Sequence, residues 1–373
     1  GTATLRDFSY VAPEIPEFIT GNCTGCMDCV TLCPDTAILG KVVGEEAWAD
    51  RLEKIENKDD RDLFGRQWAE PTKYYQGPKK KTGEGGKFSI IIDPSKCKGC
   101  AECVTVCDDE ALKMIPKTEK VMEDIRKSHR MFKEFGPTDE SYVNDNLLID
   151  MMLKEDTLLY VGGAGSCAGC GEGTALRMMC AATGAKYGDQ WGIVAATGCN
   201  TVYTSTYPYN PYLIPWTNSL FENAPADAMG VRSRWDQLDW HDKPLWCIGG
   251  DGAMGDIGYQ NVSKVILQNK PNMMLLMLDT QVYSNTGGQN SDSSNMLGGY
   301  DMNQFGIASQ GKLIEKKSVA ETFTAGHGSP YIAQVSMANS AKVYKAMLDG
   351  LEYRGCAFFQ CYTTCQPEHG VAD

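Results

Sequence analysis

Two continuous apolar runs with a helical pattern between them stand out in the second half of the chain. The run PLWCIGG, residues 244–250, predicts a strand, and a glycine turn that carries Asp251 follows it. A helix is predicted from about 256 to 269, and the run MMLLML, residues 273–278, predicts a second strand. Continuous apolar strands separated by a helix are typical of a buried parallel sheet. This half of the chain is therefore predicted to form an α/β domain.

Two cysteine runs repeat each other in the first part of the chain. They are CTGCMDCVTLCP, residues 23–34, and CKGCAECVTVCD, residues 97–108. Their spacing resembles that of bacterial ferredoxins, in which three close thiolates bind one [4Fe-4S] cluster and the fourth thiolate binds the other. A zinc site would leave the third and fourth cysteines of each run without a use. The predicted ligands are Cys23, Cys26, Cys29 and Cys107 for one cluster, named here the first cluster site, and Cys97, Cys100, Cys103 and Cys33 for the other, the second cluster site.

Three segments divide the chain. Residues 1–117 are predicted to form an α+β, two-cluster ferredoxin-like domain with an insertion at about 40–90, whose charge and glycine content indicate a surface excursion. Residues 118–160 have apolar residues at helical spacing and are predicted to form a connector. The parallel-sheet domain is predicted to span residues 161–373.

Composition narrows the class of protein. The net charge of -13 argues against a nucleic-acid or anionic-membrane surface as the main partner. No apolar run approaches the roughly 20 residues that a spanning helix needs. Sixteen cysteines in a chain of 373 residues favour metal or redox chemistry in a reducing compartment over disulfides. We expect a soluble, cytoplasmic protein. Because the chain begins at Gly1 without a methionine, a piece of a longer polypeptide is one interpretation, and a natural subunit is the other.

Oxygen-bearing residues follow the two predicted strands of the second half. Asp251 and Thr280 lie at strand ends, where parallel sheets bind their ligands. With a backbone carbonyl near Val282 they would give three oxygens to Mg²⁺, a hard cation that could hold a diphosphate. Glycines would let the backbone approach phosphates or turn tightly. These glycines are Gly250, Gly252, Gly287 and Gly288.

The same segment carries a resemblance to a known family. GDG at 250–252, followed by DTQVYSNTGGQ at 279–289, resembles the thiamine diphosphate fingerprint of pyruvate:ferredoxin oxidoreductases. GSCAGCGE, ATGCNTVY and PWTNSLFEN resemble further motifs of that family, in the same order. The resemblance covers the ferredoxin-like domain and nearly all of the remainder. It implies that the parallel-sheet domain binds thiamine diphosphate and Mg²⁺, with Asn285 touching the thiazolium or substrate side and Glu172 contacting the cofactor; these two are the candidate catalytic residues.

A third [4Fe-4S] cluster beside the thiamine cofactor is also implied by the resemblance. Its ligands would come from CAGC, from ATGC and from a late cysteine. Cys361 and Cys356 compete for the fourth place, and Cys365 is favoured because His369 and Gly370 follow it, as a His-Gly follows the family's last ligand. The implied set, named here the third cluster site, is Cys167, Cys170, Cys199 and Cys365.

The function implied by the family is a reaction of anaerobic metabolism. Pyruvate, coenzyme A and oxidised ferredoxin or flavodoxin would give acetyl-CoA, carbon dioxide and the reduced carrier, reversibly. Another 2-oxo acid such as 2-oxoglutarate, oxalate or a branched-chain acid is an alternative substrate. The alternative of a non-catalytic iron–sulfur electron-transfer subunit has no use for Asp251, Thr280 and the NTGGQ loop.

The sequence offers no segment for the aminopyrimidine-binding domain that the family requires. This domain and the coenzyme A site are expected on a partner chain or on a missing segment, in a homo- or hetero-oligomer. The chain alone should therefore not turn over.

Overall fold

The structure is a computed structural model that describes residues 1–161, 165–205, 207–297 and 311–369. It divides into two compact units, a first unit of residues 3–163 and a second unit of residues 1–2 and 164–373. The segment predicted as a connector therefore falls within the first unit. Among the described residues, the helices are all too short or too polar to cross a bilayer.

The first unit contains two antiparallel strand pairs and short helices. Strand β1 pairs with β4, so that Phe18 faces Leu112, and β2 pairs with β3, so that Ile38 faces Ile92. Helix α6 packs against α3 and β3. The elements are β1 (Glu14–Phe18), α1 (Asp28–Thr31), β2 (Ile38–Gly44), α2 (Glu45–Glu53), α3 (Lys58–Gly65), α4 (Gly77–Thr82), β3 (Gly86–Ile92), α5 (Glu102–Thr105), β4 (Leu112–Pro116), α6 (Glu119–Lys133) and α7 (Leu148–Met151).

The segment predicted as a surface insertion contributes to the core instead. Phe64 is fully buried and stacks on Trp48, with ring centroids 6.0 Å apart. Trp68 stacks on Phe132 of α6 at 6.2 Å and meets Phe135 edge-on at 5.3 Å. The segment was predicted to lie on the surface because charged residues and glycines surround these aromatic residues. Their burial becomes apparent only in the fold, where α6 covers them.

The second unit is built on a six-stranded sheet with helices. Its strand order is β11-β12-β8-β7-β5-β6, and every pairing is parallel. The predicted α/β parallel-sheet class is thereby confirmed. The elements are α8 (Gly171–Tyr187), β5 (Gly192–Ala196), α9 (Cys199–Ser205), β6 (Trp216–Ser219), α10 (Ala224–Gln237), β7 (Leu245–Gly250), α11 (Tyr259–Gln268), β8 (Met273–Asp279), β9 (Val282–Tyr283), β10 (Gln289–Asn290), α12 (Val319–Gly326), β11 (Tyr331–Ser336), α13 (Ser340–Glu352), β12 (Cys356–Tyr362) and α14 (Gln366–His369).

Apolar side chains fill the space between this sheet and its helices. Cys247, Leu275 and Phe358, on three neighbouring strands, are fully buried in one cluster with Val262 of α11. Burying such side chains stabilises each by about 1.5–3 kcal/mol relative to exposure. Cys180 is equally buried in α8. Cys180 and Cys247 thus serve as small apolar residues of the core.

The strand order reverses between β5 and β7. From β5 the chain moves outward to β6, then returns to β7 on the other side of β5 and continues to β8. Parallel sheets open a crevice at the carboxyl ends of the strands at such a reversal, and ligands bind there. The register pairs Gly250 with Leu278, so the residues that follow each, Asp251 and Asp279, lie at the same sheet edge.

Candidate functional site

The first cluster site surrounds a cavity of about 340 Å³ in the first unit. Its lining includes all four predicted cysteines, Cys23, Cys26, Cys29 and Cys107. Burial raises the pKa of the Cys29 thiol well above its usual value, and the three neighbouring thiols raise it further. The backbone N–H of Ala111 donates to the Cys107 sulfur at 3.2 Å.

The second cluster site has the same construction. A cavity of about 350 Å³ is lined by Cys33, Cys97, Cys100 and Cys103. The Ala37 N–H donates to the Cys33 sulfur at 3.3 Å, four residues on, as at the first site. Burial is the main cause that raises the pKa of Cys97 to about 11 and that of Cys100 to about 12. The structure therefore brings together the predicted sets, including the crossed fourth cysteine of each.

Matching turns shape both runs. Gly25 and Gly99 have φ of +77° and +67°, and the residues before α1 and α5, Met27 and Ala101, have φ of 67° and 68°. A left-handed backbone turns the short helix so that its cysteine faces the cavity. No group of three or more His, Cys, Asp or Glu side chains among the described residues is placed to hold a single ion. Thiols standing around a cavity are the donor set of an iron–sulfur cluster.

Oxygens gather at the carboxyl ends of β7 and β8. The Thr280 hydroxyl lies 3.3 Å from Asp251 Oδ1 and 3.1 Å from the Val282 carbonyl oxygen. Neighbouring oxygens of an octahedral Mg²⁺ are about 3 Å apart, since each lies about 2.1 Å from the ion. Burial raises the pKa of Asp251 well above its usual value, and nearby Asp279 raises it further. This buried carboxylate, hydroxyl and carbonyl set fits Mg²⁺, whose charge would offset the burial of Asp251.

Two serines beside these oxygens escaped the sequence prediction. The Ser291 hydroxyl donates to Asp251 Oδ2, and Ser284 Oγ lies 2.7 Å from Thr280 Oγ1. Both are common loop residues, and only their positions along SNTGGQNSDSS, residues 284–294, place them after the strands. The sequence feature that could have pointed to these serines is the loop itself, which folds back through the β9–β10 pair.

A cavity of about 360 Å³ opens at the point of strand reversal. It is bounded by the ends of β5, β7 and β8 and by the turn that carries Asn285. Of the residues predicted for the cofactor, all except Gly287 line it. The lining residues used here are Glu172, Cys199, Gly250, Asp251, Gly252, Thr280, Val282 and Asn285.

The glycines serve distinct purposes. A Cβ on Gly252 would overlap the Tyr283 ring, so this glycine admits a side chain of the protein itself. Gly287 has φ of +108° and permits the tight turn that was predicted. Gly288 has φ of +78°, and a Cβ there would collide with the carboxylate of Glu368 in α14. Gly250 has no atom closer than 4.0 Å to a built Cβ and so leaves space at the cavity.

Glu172 lies in the first turn of α8, only 5% exposed. Burial raises the pKa of its carboxyl group to about 7, and the Tyr203 hydroxyl, which donates to Oε2 at 3.3 Å, lowers it in part. A carboxyl group poised near neutrality can hold or release a proton in the working pH range. Tyr203 was missed by the sequence reading, although it belongs to the ATGCNTVY motif.

The cysteines of the third cluster site are far apart in sequence, and the fold places them near the Cys199 thiol. The Cys199 thiol, at the start of α9, lies close enough to Glu172, Cys170, Cys365 and Cys167 for their charges to raise its pKa, after burial as the main cause. Its sulfur is 4.0 Å from Asn285 Oδ1, so this set adjoins the cavity. The Cys365 N–H donates to His369 Nδ1 at 3.1 Å. Gly370, the other residue used to favour Cys365, lies outside the described residues.

The competing cysteines are placed elsewhere. Cys361 and Cys356 both lie in β12 with no exposed surface. Cys356 adjoins Cys247 in the core and its pKa is raised to about 12 by burial. Cys365, Cys167 and Cys170 all influence the Cys199 thiol, whereas Cys356 and Cys361 lie within β12.

Two family models match parts of the chain. Residues 196–361 match the family model of the thiamine pyrophosphate enzymes, C-terminal TPP binding domain, and residues 90–113 match that of the 4Fe-4S binding domain. Thiamine pyrophosphate is the same molecule as thiamine diphosphate. The chain therefore contains one segment similar to the thiamine pyrophosphate-binding domain of these enzymes and a shorter segment similar to a 4Fe-4S binding domain.

Particular relatives confirm the resemblance to the 2-oxoacid:ferredoxin oxidoreductases. A probable pyruvate-flavodoxin oxidoreductase of Escherichia coli (strain K12) is 27% identical over 433 residues, covering 96% of this chain and 34% of the relative. Pyruvate synthase subunit PorB of Pyrococcus horikoshii is 37% identical over 209 residues, covering 54% of this chain and 62% of the subunit. The chain thus spans about a third of the length of the long relatives it matches almost throughout.

A solved structure of a 2-oxoglutarate:ferredoxin oxidoreductase from Magnetococcus marinus, with 2-oxoglutarate, coenzyme A and succinyl-CoA bound, matches with a TM-score of 0.44 at 20% identity. The match covers 55% of this chain and 65% of that chain.

Proposed function

We propose that this chain is the electron-transfer and diphosphate-binding part of a pyruvate:ferredoxin or pyruvate:flavodoxin oxidoreductase. The reaction converts pyruvate, coenzyme A and the oxidised carrier into acetyl-CoA, carbon dioxide and the reduced carrier, and it is reversible. The observation that carries the proposal is one cavity at the strand reversal, where a magnesium-type oxygen set and Cys199 share the same lining.

Each half of this cavity has a distinct task. Asp251, Thr280 and the Val282 carbonyl would hold Mg²⁺ and through it the diphosphate, with Gly250 leaving room for the phosphates. When bound, thiamine diphosphate supplies a carbon nucleophile and a sink for the electron pair left by decarboxylation.

Around that position, Glu172 can hold a proton near neutral pH because it is buried. Asn285, which lines the cavity beside Cys199, would orient the substrate side of the cofactor.

Cys167, Cys170, Cys199 and Cys365 would hold a cluster that could accept electrons beside this cavity. An oxidation by two electrons suits [4Fe-4S] clusters, which accept one electron at a time. Cys199 adjoins Asn285, so the third cluster site would be the nearest acceptor. The first and second cluster sites would carry the electrons to a ferredoxin or flavodoxin.

The active enzyme requires further protein. The aminopyrimidine-binding domain and the coenzyme A site would be supplied by a partner chain or by further segments, in keeping with relatives about three times as long or built from named subunits. Pyruvate is proposed as the substrate because several of those relatives carry it in their names.

Two measurements test this function. Anaerobically purified protein should contain about twelve irons and twelve acid-labile sulfides per chain, three clusters' worth. Isothermal titration should show thiamine diphosphate binding only when Mg²⁺ is present. About eight irons with no magnesium-dependent binding would instead favour an electron carrier. Release of carbon dioxide from carboxyl-labelled pyruvate, against 2-oxoglutarate, by the assembled enzyme then tests the substrate.

A further inference from the structure

The first and second cluster sites have matching backbone turns. In each site, one sulfur accepts a backbone N–H from four residues on. The repeat also matches residue for residue beyond the cysteines. Thr24 corresponds to Lys98, Asp28 to Glu102, and Asp109 to Asp35, as the two runs are aligned on their cysteines.

The aligned runs differ in charge at two positions: Thr24 corresponds to Lys98, and Pro34 corresponds to Asp108. The first of these positions lies beside a carboxylate in both sites. At the second site, Lys98 Nζ lies 2.8 Å from Asp35 Oδ1, with side chains only 4% and 3% exposed. At the first site the corresponding pair is Thr24 and Asp109, joined by a 2.6 Å hydrogen bond at an exposed position. Both pairs line the cavities of their sites. Since the carboxylates correspond, the two pairs differ by the single positive charge of Lys98.

The two sites also differ in burial. Cys33, Cys97 and Cys103 are buried at the second site, whereas Cys29 alone is buried at the first. Reduction adds a negative charge to a cluster, and burial opposes that added charge because it removes stabilising water. The second cluster site, which is the more buried of the two, is therefore also the one beside a buried cation, Lys98.

We propose, resting on the proposed iron–sulfur function, that the ammonium group of Lys98 raises the reduction potential of the second cluster. Its positive charge thereby offsets the lowering of the potential that burial of this site causes. The first cluster, with Thr24 in the same place, takes its potential from solvent exposure instead. A unit charge within about 10 Å changes a one-electron reduction equilibrium by about tenfold at an effective dielectric constant of 20. Tenfold corresponds to 59 mV for a one-electron couple.

The repeat supplies a matched pair of variants, K98T and T24K. Both are measured in the anaerobically purified holoprotein by redox titration followed by electron paramagnetic resonance, with iron content determined on each sample. K98T should lower one midpoint potential by about 59 mV or more, whereas T24K should raise a different midpoint. K98R, which keeps the charge, should retain the wild-type potential.

A second variant guards against loss of folding in K98T, which leaves Asp35 buried without its cation. D35N removes the opposing charge and should raise the midpoint of the second cluster. Midpoints that stay in place in both D35N and K98T at full iron content would overturn this inference alone, and so would K98T and T24K moving the same midpoint. A wild-type protein with fewer than about eight irons would overturn the proposed function together with it.

Discussion

The first two cluster sites and the third are built in opposite ways. Each of the first two takes three cysteines from one run of seven residues and a fourth from the other run, on matching short turns. The third takes its cysteines from positions before α8, at the start of α9 and after β12. Local turns define the former, whereas a whole parallel sheet must form before the latter exists. The two kinds of site should therefore respond separately to mutation.

The largest effect is expected from Cys365→Ala. Loss of this thiol should remove the third cluster, lowering the iron content from about twelve to about eight per chain while the other two clusters remain. Iron analysis and electron paramagnetic resonance of the reduced protein measure this loss. Cys361→Ala is the matched control, since Cys361 is buried within β12, and it should keep about twelve irons. The opposite result in the two variants would make Cys361 the ligand.

Asp251→Ala tests the assembled site from its oxygen side. The variant should bind thiamine diphosphate about 100-fold more weakly in the presence of Mg²⁺, because removing one partner of a buried charge pair costs about 3 kcal/mol or more. Isothermal titration measures the affinity. Asp256→Asn, in the helical turn after Asp251 but outside the cavity lining, is the control. Undiminished affinity in Asp251→Ala would remove Asp251 from the magnesium site.

Gly288→Ala tests the third cluster site through a residue that is not one of its predicted ligands. An added Cβ would strike Glu368, three residues after Cys365, and strain the backbone at φ +78°. Strain of this kind amounts to about 1–3 kcal/mol, so the third cluster should lose iron to a chelator about tenfold faster. Gly328→Ala shares a φ of +76° but meets open space, and should release iron at the wild-type rate. Equal rates in all three proteins would show that a clash between position 288 and Glu368 does not affect the third cluster.

The smallest effect is expected from Tyr203→Phe. Losing the 3.3 Å hydrogen bond to buried Glu172 should lower stability by about 1 kcal/mol. In a unit of this size the Tm should fall by about 2–4 °C, measured by circular dichroism. Tyr207→Phe, at a side chain 93% exposed, should leave the Tm unchanged. A Tm equal to that of the wild type in Tyr203→Phe would mean that the hydrogen bond contributes nothing.

Elements with a strong periodic pattern were predictable. The strands predicted at 244–250 and 273–278 are β7 and β8 to within a residue, and the helix between them is α11. Their continuous apolar runs predict buried strands. The prediction that Asp251 lies at a strand end follows directly from the end of the first run. The ferredoxin-type cysteines were equally predictable from the sequence, because their spacing alone groups them.

Features that depend on strand order or on long-range packing were not predictable. Nothing in the sequence states that β5 lies beside β7, and this neighbourhood puts Cys199 and Asp251 in one cavity. Ser291 looks like any loop serine until the loop folds back onto Asp251. Phe64 and Trp68 lie in a charged stretch and are recognised as core only through their rings packed with α6 and its flank.

The position of β12 bears on the order in which the second unit forms. This late strand is inserted between β8 and β11, so β11 leaves the ribosome before its sheet neighbour has been made. The Mg²⁺-type oxygens are complete in the nascent chain once Val282 has emerged, whereas Cys365 follows β12. Synthesis therefore delivers the diphosphate-binding side first, and the last iron–sulfur ligand arrives together with the strand that closes the sheet.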